Sequence, residues 1–189
     1  MENIGYWLPT SNDKNALYYI LAYPSKEARD KSWAGFSADP EWKEVASKSE
    51  TSGKIVQSVT SVFMNASDLM PGITPGSGTG RVFELRTYSC LPGRLPNLIT
   101  RFRDHTLKLF EKHHMENIAY FTSIEKDGAQ PKLVYLLAHK SEEEAAKSWA
   151  AFRSDPDWIA ARDASEKDGK IVEKVESVFM KPLDFSKIK

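Results

Sequence analysis

Carboxylate, guanidinium and phenol alternate with apolar residues along the run Phe83-Glu84-Leu85-Arg86-Thr87-Tyr88. On a β-strand that spacing places Glu84, Arg86 and Tyr88 on one face and Phe83, Leu85 and Thr87 on the other. Such a trio can bind a small ligand. Arg86 would hold an anionic or carbonyl oxygen, Tyr88 would donate a hydrogen bond, and Glu84 would orient Arg86 or act as a base. The same residues can instead form a buried structural pair, because an unpaired charge at the centre of a sheet is costly. The apolar set is expected to face helices and the polar set to face a cavity. Tyr120 and Tyr135, on two further strand-like runs, would make that cavity partly aromatic. The candidate ligand-binding residues are thus Glu84, Arg86, Tyr88, Tyr120 and Tyr135, with no catalytic residue assigned.

Other reactive side chains give weaker signals. Of the four histidines, His113 and His114 are adjacent and so lie on different helix faces, and none makes the i, i+4 pair of a helix-borne metal site. His105 borders an apolar stripe, and His139 corresponds to Tyr23 in an internal repeat described below. No metal and no cofactor is expected. The single cysteine, Cys90, cannot form an internal disulfide and has no readable base beside it. GSGTG (76–80) is followed by a strand rather than a helix, which favours a linker over a phosphate loop.

The elements that must position these residues come in two related sets. Residues 17–64 align with 133–180 at a constant offset, with about half of the pairs identical. KSWAGFSADPEW (31–42) returns as KSWAAFRSDPDW (147–158), GKIV (53–56) as 169–172, and SVFM (61–64) as 177–180. MENIGYW (1–7) corresponds to MENIAYF (115–121), but residues 81–114 have no earlier counterpart. The expected organisation is an incomplete unit at 1–64, a Gly/Pro/Ser-rich linker at 65–80 and a complete unit at 81–189.

In the complete unit, residues 82–89 read as a strand, Leu95 to about His113 as one helix of about five turns, and 118–125 and 133–139 as a hairpin joined through KDGAQPK. Ser141 with Glu144 forms a capping box for a helix carrying Ala145, Trp149 and Phe152. Asp155-Pro156 restarts the chain as a short helix with Trp158, and 172–180 is a last strand. The order is β-α-β-β-α-β, an α+β ferredoxin-like pattern. Trp33, Phe36 and Trp42, like Trp149, Phe152 and Trp158, are expected to anchor helices to the sheet as core, with Trp42 and Trp158 nearer a rim.

ELRTY (84–88), the long helix after a Pro-Gly turn, and the Trp-x-x-Phe then Asp-Pro-x-Trp spacing together resemble the NIPSNAP family of the dimeric α/β-barrel superfamily. The resemblance covers 81–182 in full and 3–64 in part. It implies ferredoxin-like units that form a barrel by tandem duplication or dimerisation, without one agreed reaction. Eukaryotic relatives are associated with mitochondria, and related barrel families include cofactor-independent monooxygenases.

The function expected is binding of a small apolar or aromatic ligand in the barrel cavity. The alternatives are a structural or interaction scaffold and, more weakly, monooxygenase-like chemistry. Whether the chain is an enzyme is left open. The 26 basic and 26 acidic residues leave no net charge, so a global basic field for nucleic acid is absent. No apolar run approaches the roughly 20 residues needed to span a bilayer. The first residues lack secretory and transit patterns, so a cytoplasmic location is expected, or a mitochondrial one if a targeting segment lies upstream. A first unit without its opening strand would leave sheet edges unpaired. Either a longer product begins upstream or another chain, a homo-oligomer or protein partner, supplies the strand.

Overall fold

A computed structural model describes residues 1–75, 80–126 and 128–189. Part of the GSGTG run and one residue of the KDGAQPK turn lie outside the described residues. One seven-stranded sheet runs through the described chain, in the order β2-β1-β7-β4-β6-β5-β3. Its strands are β1 (Glu2–Pro9), β2 (Tyr18–Ala22), β3 (Met64–Ala66), β4 (Val82–Cys90), β5 (Glu116–Ser123), β6 (Leu133–His139) and β7 (Val172–Pro182). All the pairings are antiparallel. The sheet curls into a half-barrel, and the fold is α+β.

The centre of the sheet is β7-β4-β6-β5, the order of a β-α-β-β-α-β unit, with β4 paired along its length to both β6 and β7. Helices α5 (Glu142–Ser154) and α6 (Pro156–Ser165) form as their sequence signals require. Ser141 Oγ accepts the Glu144 amide at 3.2 Å, and Asp155 caps α6 through the Asp157 amide at 2.8 Å with Pro156 in the first turn.

The helix expected from Leu95 to His113 is not uniform. It is built from α3 (Leu95–Arg101), a π-helical turn at Phe102–Thr106, and α4 (Leu107–Lys112). The buried residues Leu98, Phe102, Thr106 and Phe110 recur every four positions, longer than the α-helical repeat of about 3.6. A widened turn keeps all four on the sheet-facing side. Thr106 Oγ1 donates to the Arg101 carbonyl at 3.1 Å, five residues back, and so satisfies an oxygen that the wider turn releases.

The two faces of the sheet carry two apolar clusters. Beneath the helices lie Leu98, Phe102, Phe110, Tyr120, Tyr135, Leu137, Ala145, Trp149 and Phe152. On the opposite face, Trp7, Phe83, Ile118, Phe121, Val134, Leu136, Met180 and Ile188 pack together. This corrects the assignment of faces to β4. Phe83 and Leu85 turn away from the helices, and Glu84, Arg86 and Tyr88 lie under them. Alternation fixes which residues share a face but not which face the helices take. That choice follows from the partners available under the helices, described below.

The aromatic trios behave differently in the two sequence repeats. Their internal geometry is nearly the same, with Trp33–Phe36 at 5.7 Å and Phe36–Trp42 at 4.4 Å against Trp149–Phe152 at 5.6 Å and Phe152–Trp158 at 4.4 Å. Their burial is not. Trp149 and Phe152 are buried, with Phe110 of α4 against both rings at 5.3 and 5.1 Å. By contrast, α1 (Lys26–Ala38) and α2 (Pro40–Ser49) bury none of their residues, and Trp42 is exposed. The expectation that Trp33 and Phe36 are core therefore fails, because no α4-like element covers them.

Candidate functional site: a buried carboxylate network opening on a cleft

Glu84 is 1% exposed and sits at the middle of a closed set of donors. Its Oε1 accepts from Arg86 and from Ser177 Oγ at 2.6 Å. Its Oε2 accepts from Trp149 Nε1 at 2.7 Å and from His139 Nε2 at 3.1 Å. Each partner is delivered by register or helix phase. His139 ends β6 beside β4, where it pairs with Val82, and Ser177 of β7 lies opposite Arg86. Trp149 descends from α5. Burial alone would push the Glu84 carboxyl up, but the hydrogen bond from His139, the Arg86 charge and the Ser177 and Trp149 donors outweigh it and bring the pKa down to about 2. Glu84 is thus an ionised carboxylate.

Arg86 is similarly enclosed. Its Nε donates to Tyr135 Oη at 3.1 Å, a terminal nitrogen donates to Tyr88 Oη at 3.3 Å, and the guanidinium stacks over the Trp149 ring at 4.1 Å. Burial opposes its charge, but the neighbouring phenols and Glu84 raise its pKa above the ordinary value. Tyr120 stacks on Tyr135 at 5.2 Å and donates to Asn117 Oδ1. All five sequence-predicted residues therefore come together in one buried assembly. Their polar groups bond one another and the sheet.

The assembly has one loose end. An ionised Glu84 can only accept, so His139 Nε2 must carry a proton, and in the neutral ring Nδ1 then carries the lone pair. Nδ1 is buried and has no partner among the described residues. His139 lines a cleft of about 270 Å³ with His114, Lys140, Glu144 and Ser148. Sequence reasoning set His139 aside because Tyr23 replaces it in the other repeat. The carboxylate that His139 serves belongs to a strand that the first repeat lacks, so the absence of a second histidine was no argument against it. Trp149 and Ser177 were also missed as partners, since their convergence depends on register and helix phase.

Elsewhere, His113 Nε2 bonds Asp155 at 2.6 Å and His105 is exposed. Cys90 is buried, and burial pushes its thiol pKa up, away from thiolate reactivity. Among the described residues no group of three or more His, Cys, Asp or Glu is placed to hold a metal ion. No helix among them is long and apolar enough to cross a membrane.

The NIPSNAP family model matches residues 1–70 and 83–187. The chain belongs to the NIPSNAP family. Among solved structures, a NIPSNAP family protein of unknown function from Agrobacterium tumefaciens is 26% identical, covering 58% of this chain and 94% of that one at a TM-score of 0.49. A NIPSNAP-like domain protein from Burkholderia xenovorans is 18% identical, with 56% and 88% covered at 0.48. A protein named as a candidate monooxygenase from Lactobacillus acidophilus is 13% identical, with 96% and 76% covered at 0.53, a likeness of fold. No curated protein matches the sequence. No catalytic activity is established by these relationships.

Proposed function

We propose that this NIPSNAP protein binds a small polar molecule bearing both a hydrogen-bond donor and a negative charge, in the cleft at the His139 end of the Glu84 network. The observation that carries this reading is the unpartnered Nδ1 of a buried histidine whose other nitrogen is held by a carboxylate. A ligand hydroxyl or N–H donating to Nδ1 would satisfy it, and Lys140 and His114 in the lining favour an anionic group nearby. Glu84 then orients the imidazole and supports positive charge on it, the arrangement of a general base or a fixed acceptor. The ligand expected from sequence was apolar or aromatic and held directly by Glu84, Arg86 and Tyr88. The lining of the cleft favours a polar one, with those residues acting through His139.

A panel of small hydroxy acids and phosphate esters, screened by thermal unfolding, tests the reading. At least one class is expected to raise the melting temperature, and Lys140→Ala, at an exposed position, is expected to weaken that rise while leaving the unliganded protein unchanged. No stabilisation by any compound, or stabilisation indifferent to Lys140→Ala, would remove the proposal.

The scaffold reading rests on other residues. Leu17, Tyr19, Trp42 and the run Ile55, Val56, Val59, Val62 and Phe63 are exposed apolar side chains.

A further inference from the structure

Residues 53–64 and 169–180 share GKIV and SVFM in register, yet they adopt different structures. Residues 172–180 lie within β7, paired with β4 from Phe83 to Cys90. Residues 55–63 are extended without strand pairing, and only Met64–Ala66 joins the sheet, on β5. Nearly the same sequence is a strand beside β4 and not a strand without it. A similar contrast holds for Tyr18–Ala22. Its counterpart, β6, is paired on both sides, by β4 and β5, whereas β2 is paired only with β1 and ends the sheet. What β2, 55–63 and the uncovered faces of α1 and α2 all lack is an equivalent of β4 and the helix that follows it.

The polar groups around that position also match the second repeat. Trp33 and Ser61 correspond to Trp149 and Ser177, the two donors that hold the Glu84 carboxylate, and neither side chain makes a hydrogen bond among the described residues. Tyr23, in the place of His139, reaches only Met1 Sδ at 3.8 Å. Arg29, where the second repeat has Ala145, adds a guanidinium that lies over Trp33 at 5.6 Å and Phe63 at 5.4 Å, tying the end of the 55–63 run to α1. Hydroxyl, indole and guanidinium donors thus surround a place from which a carboxylate is missing.

We propose that the edge of β2, the 55–63 run and the exposed aromatic faces of α1 and α2 form a docking slot for a strand-helix element of another polypeptide, one that carries a carboxylate on the strand at the position of Glu84. The occupant adds an eighth strand between β2 and 55–63, which closes the half-barrel and removes both exposed edges. Its helix covers Trp33 and Phe36 as Phe110 covers Trp149 and Phe152. A second copy of this chain does not supply it, because its own residues 82–112 already form the centre of its sheet.

A fluorescently labelled peptide of residues 81–114, titrated into the full chain, serves as the probe. Saturable binding is expected, with slowed amide exchange at 18–22 and 55–63. Glu84→Gln in the peptide, or Trp33→Phe in the protein, is expected to weaken binding roughly tenfold, since each removes one side of a charge-assisted hydrogen bond. Circular dichroism checks that Trp33→Phe leaves the fold intact. The proposal is overturned if the peptide does not bind, if a scrambled peptide binds equally, or if neither substitution matters. It is also overturned if sedimentation shows the chain alone to be a dimer whose 18–22 and 55–63 amides are already protected.

Discussion

Replacing Glu84 with glutamine tests whether the buried network is held by charge. The amide keeps the volume and one acceptor for Arg86 and Ser177, but it turns an N–H toward Trp149 Nε1, a donor that then has no acceptor. Breaking one side of a buried ion pair costs about 3–5 kcal/mol. The linkage route gives a similar figure. The carboxyl is held at about 2 instead of 4.5, which corresponds to about 3 kcal/mol of preferential stabilisation of the ionised form. At about 2–4 °C per kcal/mol for a domain of this size, the melting temperature should fall by about 6–12 °C at pH 7. The pH dependence supplies the sharper check. A depressed carboxyl pKa contributes stability that is fully present above the unfolded value of 4.5 and is lost as pH falls toward 2. The variant resembles the protonated parent. Urea unfolding from pH 7 downward should therefore show the gap between parent and variant narrowing below about pH 4.5. A gap below about 1 kcal/mol at pH 7, or one that stays constant as pH falls, would refute the reasoning.

Two further substitutions probe the packing around this centre. Gly5→Ala would set a methyl into the Trp7 ring, which lies against Gly5, and should cost about 1–3 kcal/mol in chemical denaturation. The second repeat pairs Ala119 with the smaller Phe121, so Gly5→Ala combined with Trp7→Phe should recover part of that loss. Tyr135→Phe leaves Arg86 Nε without its acceptor and should lower stability by about 1–3 kcal/mol; an unchanged melting temperature would mean that Arg86 turns to another partner.

Much of this molecule was legible in its sequence. Alternation located β4, Ser141 and Asp155 announced the starts of α5 and α6, and the Glu-x-Arg-x-Tyr spacing identified a real cluster with Tyr120 and Tyr135. Which side of the sheet that cluster occupies was not legible, because period-two alternation is symmetric between faces. The deciding partners, His139, Ser177 and Trp149, lie 55, 93 and 65 residues from Glu84. They converge through strand register and helix phase, which local periodicity does not encode. The π turn was hidden for a related reason. A four-residue spacing of apolar positions lies close enough to 3.6 to pass as an ordinary helix over two turns, and it departs visibly only across the full run from Leu98 to Phe110.

That turn also sets how the chain tolerates changes in length. Removing a single residue from the exposed stretch 103–105 would leave a backbone free to run as plain α-helix, with every local hydrogen bond available. It would also rotate everything beyond it by about 100° relative to the sheet. Leu109 and Phe110 would swing away from Trp149 and Phe152, and Asn117, which donates to the Leu107 carbonyl at 3.1 Å, would lose its acceptor. A deletion that is neutral for the helix alone would thus be destructive for the domain. This surface segment can accept many residue types but only one residue count.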